Sequence, residues 1–180
     1  MKKLFSSILT SALILFSPSI AIAGNSFDDH IGLFNSLKEV GVTPLINSAH
    51  CEDGSSGLYH TTAQLLIICQ ENSEVNGDQV KWTANDLDTL RHEAHHVVQD
   101  CNDGILGDGK LGLFFTEKKD FIDFIRKAEY SASEIKSLVN ALEDEGLDGL
   151  DLLIEVEAYV VASKIDASLI ANKLKEFCGS

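Results

Sequence analysis

The sequence is short of basic residues, has few prolines and lacks a long apolar segment beyond its N-terminus. Its 180 residues include 14 Lys and Arg against 28 Asp and Glu, and this shortage of positive charge disfavours binding to nucleic acid or to anionic membranes. Only 2 prolines occur, and no tract rich in Pro, Gly or Ser divides the chain. No later segment approaches the roughly 18 apolar residues of a membrane helix. We therefore expect one acidic domain with no nucleic-acid partner.

The N-terminus has the three parts of a secretory signal peptide. Met1-Lys2-Lys3 is basic, Leu4 to Phe16 is apolar apart from small hydroxyl residues, and Ala21-Ile22-Ala23 has the small-x-small pattern of a cleavage site. As an uncleaved anchor, the apolar run would be too short to span a bilayer comfortably. We predict a signal peptide over residues 1–23 and a single domain over residues 24–180. The mature protein is expected in the periplasm or the medium, with no membrane association after cleavage.

All four cysteines lie in the predicted mature part, at Cys51, Cys69, Cys101 and Cys178. An even number of cysteines in an exported protein indicates disulfides, and three pairings are possible. We favour Cys51–Cys69, which would close a glycine-rich hairpin, and Cys101–Cys178, which would tie a helix end to the C-terminus. Because no C-x-x-C spacing occurs, zinc bound by cysteines is the weaker alternative.

Strand signals come first in the mature chain. Val42 to Ile46 reads as extended, and Pro44 favours an edge position because proline has no N–H to donate. Leu58-Tyr59 and Ala63 to Cys69 read as two further strands. The second of these is short, apolar and half β-branched, which predicts a buried strand.

Helical spacing of apolar residues dominates the rest of the chain. Thr83 to Asp86 has the pattern of a capping box, and Gly104 follows the last residue of helical periodicity, so we predict a helix over residues 84–101. Further helices are predicted at residues 28–40, at about 117–129, at 132–144, and as one long helix from about 150 to 177. The predicted fold class is α+β, with a small antiparallel β region followed by a helical core.

The predicted helix over 84–101 carries an H-E-x-x-H motif formed by His92, Glu93 and His96. Residues four apart lie on one helix face, so both imidazoles can bind one zinc ion while the glutamate acts as general base on an activated water. An alternative pairs His92 with His95 on a metal, but only the four-residue spacing gives Glu93 a role. We therefore expect His95 to support the site or to lie on the surface. A solvated helix face is the simplest non-functional interpretation.

A third protein ligand is expected, since catalytic zinc usually has three. No histidine follows His96, so this ligand is expected to be a carboxylate. Glu155 and Glu157 lie inside the apolar run from Leu152 to Ala162. Burying two acids there is costly unless they are paired or bind a metal. The alternative is a solvated stripe on a surface helix.

Two segments resemble a known family. His96-Val97-Val98-Gln99 and the stretch Glu155 to Tyr159 are similar to gluzincin-type zinc metallopeptidases, in particular to small exported bacterial domains whose H-E-x-x-H helix continues H-V-V-Q. Those domains carry a later glutamate in patterns such as E-x-x-A-D or E-x-E-A-D. Aligning on the alanine makes Glu155 the implied zinc ligand, with Glu157 as the reserve. Tyr159 replaces the aspartate that would orient a zinc-bound histidine.

The resemblance implies a zincin-like core that hydrolyses peptide bonds, with peptide or protein as the substrate. Zn²⁺ would be held by His92, His96 and Glu155, with Glu93 as the general base. Gln99 and Tyr159 would lie beside the ligands. In proteins of this type an edge strand pairs with extended substrate, and Ala63 to Cys69 is either that strand or a fully paired core strand.

Three points stay open in the sequence. The group that stabilises the oxyanion is one of Tyr159, Tyr130, His60 and Tyr59. A zinc-binding domain without catalysis, acting through protein contacts, is the alternative function, because Tyr159 departs from the family pattern. A metal-free domain held by disulfides is the third hypothesis.

Overall fold

The computed structural model describes residues 27–102 and 104–179, so the predicted signal peptide lies outside the described residues. The helices are α1 Phe27–Glu39, α2 Ala84–Cys101, α3 Lys118–Lys127, α4 Ala132–Asp144, α5 Gly149–Lys164 and α6 Ala167–Cys178. The strands are β1 Thr43–Ile46, β2 Gly57–His60 and β3 Leu65–Ile68. Helix α1 precedes the small sheet and α2 to α6 follow it, which confirms the predicted α+β class.

The three strands form one sheet in the order β1-β3-β2. β2 pairs antiparallel with β3, as expected, but β1 pairs parallel with β3, so the sheet is mixed rather than wholly antiparallel. The reason is topological, because β2 lies between the two in sequence and the chain reverses once before it and once after it. Pro44 lies in an edge strand, as predicted, where its missing N–H costs no hydrogen bond.

β3 is the central strand, and its side chains at Leu66, Ile67 and Ile68 are buried. The prediction of a buried strand is confirmed. The alternative role of this strand as a free edge for substrate is wrong, because β3 is paired on both sides. The edge strand that packs against α2 is β2.

α2 begins and ends where the sequence predicts. The hydroxyl of Thr83 accepts from the backbone N–H of Asp86, and the Asp86 carboxylate accepts from the backbone N–H of Thr83. Every residue from Leu90 to Cys101 is buried, because α2 is packed against the sheet, α5 and α6. The H-E-x-x-H motif therefore lies in the core rather than on a solvated face.

The predicted long C-terminal helix is wrong, since it is divided into α5 and α6. Ile165 is extended, with φ −105° and ψ 132°, and Asp166 is the N-cap of α6. α6 then folds back against α1 and α2, which brings Cys178 to Cys101. In a continuous helix, Cys178 would lie roughly 35 Å along the axis from Glu155 at about 1.5 Å per residue, too far for this packing.

Both predicted disulfides, Cys51–Cys69 and Cys101–Cys178, are present. A smaller apolar cluster around Leu142, Val156 and Val160 attaches α3 and α4 to the outer side of α5. Among residues 27–102 and 104–179, no helix has the length and apolar character needed to span a membrane.

Candidate metal centre

His92, His96 and Glu155 meet where α2 packs against α5. The two Nε2 atoms are 3.0 Å apart, and Glu155 places Oε2 3.2 Å from His92 Nε2 and Oε1 3.5 Å from His96 Nε2. Tetrahedral zinc with bonds of about 2.0–2.2 Å needs donor atoms roughly 3.3 Å apart. Both the spacing and the donor set of two imidazoles and one carboxylate are therefore compatible with a divalent transition-metal ion.

The charges of these three side chains are coupled because all are removed from water. Burial lowers the pKa of His92. Although burial acts in the same direction on His96, the Glu155 carboxylate raises the pKa of His96 to about 9. Burial alone would raise the pKa of Glu155, but His96 and His92 hold it well below its usual range. The cluster is thus a buried Glu155 carboxylate held between two imidazoles, with the compensating positive charge on His96.

Glu93 lies beside this cluster, facing strand β2. Its side chain is only 1% exposed. Burial and the charge of Glu155 raise its pKa to about 8, against the opposing effects of His96 and the Tyr59 backbone N–H. Its Oε1 is buried and accepts no hydrogen bond within the part of the chain that the structure describes. A carboxyl group with a pKa near neutrality can take up and release a proton at working pH.

Glu157, the reserve candidate for the third ligand, lies outside the cluster. It is fully buried and accepts four hydrogen bonds: from His95 Nε2 at 2.8 Å, from Gln99 Nε2 at 3.0 Å, and from the backbone N–H groups of Phe114 and Phe115 at 3.0 and 3.1 Å. Both carboxylate oxygens are therefore occupied. Of the two glutamates, Glu155 is the one that lies with His92 and His96.

His95 is buried and pairs with Glu157, so it is not a surface residue. Its ring packs edge-on against Phe114, with the ring centroids 6.1 Å apart. Among the described residues, the group of three side chains that could hold a metal ion contains His92 with His96 and Glu155, and His95 is not part of it. His95 instead donates to the Glu157 carboxylate, which also accepts from two backbone N–H groups of the loop before α3.

Gln99 and Tyr159 both adjoin a candidate ligand, but in different ways. His96 Nδ1 is 2.7 Å from Gln99 Oε1. The Tyr159 ring packs against His92, with the centroids 4.5 Å apart, while His92 Nδ1 is buried without a hydrogen bond among the described residues. Tyr159 therefore packs against the ring of His92 and does not accept its N–H. The aspartate found at this place in the resembled family would accept that N–H.

Sequence reasoning did not identify the buried Arg91 as a support of this site. Its Nε donates to the Ala162 carbonyl at 2.6 Å, its NH1 is 2.8 Å from His30 Nε2, and its NH2 pairs with Asp88. Arg91 thus joins α1 and α5 to the helix that carries the motif. The only local signal was its place directly before His92, because two of its partners are 61 and 71 residues away in sequence.

Fold and site together define an α+β domain with a buried His-His-Glu cluster between two core helices. The chain belongs to the family described as a domain of unknown function, DUF8637, whose model matches residues 28–179. No curated protein and no solved structure matches the chain.

Proposed function

We propose that this protein is an exported zinc-dependent metallopeptidase. The observation that carries the proposal is the convergence of His92 Nε2, His96 Nε2 and the Glu155 carboxylate at separations of 3.0 to 3.5 Å. The H-E-x-x-H register and the resemblance to gluzincin-type domains support the same reading. Peptide or protein is the expected substrate.

The side chains divide the chemistry between them. A bound zinc ion would supply Lewis acidity to a substrate carbonyl and lower the pKa of a water molecule. Glu93 would take the proton from that water and pass it to the leaving amine, since its carboxyl group lies beside the cluster and its pKa is raised by burial. Glu155 would supply a negative charge to the divalent cation, which would take the place of the proton on His96.

Tyr159 is the best candidate for donating a hydrogen bond to the oxyanion. The Tyr59 hydroxyl donates to Asp100 at 2.6 Å, and the Tyr130 hydroxyl is bonded to Ser163. The ring of His60 caps a short turn through the backbone N–H of Ala63. Tyr159 lies against His92, and burial together with the nearby carboxylates of Glu155, Glu145 and Glu93 raises its pKa, so the hydroxyl remains protonated.

Export is supported by two independent features. The first is the signal-peptide pattern over residues 1–23. The second is the presence of two disulfides, which persist in oxidising compartments outside the cytoplasm.

A zinc-binding domain without catalysis is the second candidate, and the burial of the site favours it. His92 and His96 are 4% and 3% exposed, and Glu93 is 1% exposed, so a peptide must displace neighbouring groups to reach them. Broad peptide-library screening of the zinc-loaded protein separates the two functions, because a binding domain gives no zinc-dependent cleavage.

The decisive first experiment is the zinc content of the oxidised mature chain, residues 24–180, measured by elemental mass spectrometry after zinc loading and desalting. We expect one zinc ion per chain, lost in His96→Ala. His50→Ala is the matched control, because His50 is an exposed histidine outside the cluster, and it should retain the metal. A wild-type chain that takes up no zinc, or a His96→Ala variant that keeps it, contradicts both zinc-dependent functions.

A further inference from the structure

The side-chain amide of Gln99 is held in one orientation by its surroundings. Its Nε2 is 3.1 Å from the Ile154 carbonyl oxygen and 3.0 Å from Glu157 Oε1. A carbonyl oxygen and a carboxylate only accept hydrogen bonds, so the NH₂ end of the amide must face them. Gln99 Oε1 is therefore the end that faces His96.

This orientation determines which nitrogen of His96 carries the proton. Gln99 Oε1 can only accept, and it lies 2.7 Å from His96 Nδ1, so Nδ1 must donate. In the neutral imidazole the other nitrogen then has a free lone pair. That nitrogen is Nε2, the atom that faces His92 and Glu155.

Glu157 holds the other end of the chain of hydrogen bonds. Its carboxylate accepts from Gln99, from His95 and from two successive backbone N–H groups, those of Phe114 and Phe115. Three of the four donors are on Oε1 and one is on Oε2, so an NH₂ group in place of either oxygen would face at least one N–H donor and disturb this arrangement. The backbone N–H of Gly112 also donates to the main-chain carbonyl oxygen of Gln99, at 3.1 Å. This hydrogen bond attaches the same loop to α2.

We propose that Gln99 and Glu157 form a positioning relay that holds neutral His96 as the Nδ1–H tautomer and so presents Nε2 to a divalent metal ion. This proposal rests on the proposed zinc site. It adds to that site a hydrogen-bond network that orients His96 and is formed by α2, α5 and the loop before α3. It explains why two buried acids only two residues apart occur on α5. Glu155 faces the metal position, and Glu157 fixes the orientation of a ligand.

The first test needs no metal and no variant. Nitrogen-15 NMR of the imidazoles in the metal-free mature chain, in alkaline solution where His96 is neutral, distinguishes the two tautomers by the chemical shifts of Nδ1 and Nε2. We expect His96 in the Nδ1–H form. An Nε2–H form, or a mixture of both, would overturn the relay.

The second test is zinc affinity, measured by competition with a chromophoric chelator. Loss of a group that orients a metal ligand typically lowers metal affinity by about 10–100-fold, and we expect this for Gln99→Leu. Glu157→Gln should weaken binding in the same direction.

Gln70→Leu is the matched control. Gln70 is also a buried glutamine, 4% exposed, and it holds the backbone of Val80 through both ends of its amide, away from the metal position. Its loss should lower the thermal midpoint and leave zinc affinity unchanged. Equal zinc affinity in wild type and Gln99→Leu would contradict the relay. If wild type binds no zinc but His96 shows the Nδ1–H tautomer, the zinc function fails and the hydrogen-bond relay stands.

Discussion

Glu93 lies directly against Gly57, the first residue of the edge strand β2. A Cβ atom added to Gly57 would lie 3.0 Å from both Cγ and Oε1 of Glu93, and 2.5 Å from Cγ2 of Thr89. Because Gly57 has no side chain, the strand can approach the helix closely. The backbone N–H of Tyr59 then lies near enough to oppose the rise in the pKa of the Glu93 carboxyl group.

Replacing Gly57 with alanine should disturb both packing and chemistry. Overpacking of a closely fitted core costs about 1–3 kcal/mol, and displacement of Glu93 should reduce zinc-dependent hydrolysis more than zinc affinity. Denaturant unfolding and a peptide-cleavage assay measure the two effects. Gly32→Ala is the control, because Gly32 lies in α1 with open space around a Cβ, and it should stabilise the protein by about 0.5–1 kcal/mol. A Gly57→Ala variant as stable and active as wild type would show that the close approach is unimportant.

Glu93→Gln should keep zinc and abolish hydrolysis. Glutamine preserves the volume of the side chain but cannot accept a proton, and loss of a general base typically costs about 10²–10⁴-fold in rate. Zinc stoichiometry and cleavage rate are measured on the same preparation. The control is Glu143→Gln at an exposed position, with no expected effect on either quantity. Unchanged hydrolysis in Glu93→Gln would refute the assigned mechanism.

Tyr159→Phe tests the hydroxyl separately from the ring. The phenylalanine ring can still pack against His92, so zinc affinity should be retained. Removal of one donor to an oxyanion lowers kcat by about 10²–10³-fold in well-studied hydrolases, and we expect a fall of that order with little change in KM. Tyr130→Phe, which loses a hydroxyl bonded to Ser163 instead, should leave kcat unaltered. Equal kcat values for the two variants would remove Tyr159 from the chemistry.

The two disulfides should differ in their contribution to stability. Cys101–Cys178 closes a segment with a sequence separation of 77, and Cys51–Cys69 one of 18. Loop-closure entropy predicts a loss of about 4.5 kcal/mol without the first and about 3 kcal/mol without the second. Paired Cys→Ser variants, compared by urea unfolding, test this order. Because Cys101 ends the helix that carries the motif, removing its disulfide should also weaken zinc binding. Greater destabilisation on removing Cys51–Cys69 would contradict the prediction.

Local patterns in the sequence were sufficient to predict those structural features that depend on residues close together in the chain. The capping box at Thr83 and Asp86 fixed the start of α2, because its hydrogen bonds join residues three apart. The four-residue spacing put His92 and His96 on one face, because it follows from helical geometry alone. Pro44 indicated an edge strand through the missing N–H of one residue.

Contacts between distant segments decided the rest. Glu155 and Glu157 lie in the same apolar run, and only the family resemblance favoured Glu155 over Glu157. The two side chains point about 160° apart on a helix of 3.6 residues per turn. Only the rotation of α5 against α2, set by packing and by the bond from Arg91 to Ala162, turns Glu155 towards the histidines.

Contacts between distant segments also decided two larger features, which are the division of the predicted C-terminal helix and the position of β3 in the sheet. The break at Ile165 and Asp166 was missed, because apolar periodicity continues through it and the turn is stabilised by packing of α6 on α1 and α2. The central place of β3 was open for a similar reason, since an apolar strand has the same pattern with one paired neighbour or two. The sequence alone thus determined the helix of the motif and the residue types able to bind a metal. The tertiary structure brought Glu155 rather than Glu157 to them and set the hydrogen bonds that orient His96, because both depend on how separate helices and strands pack together.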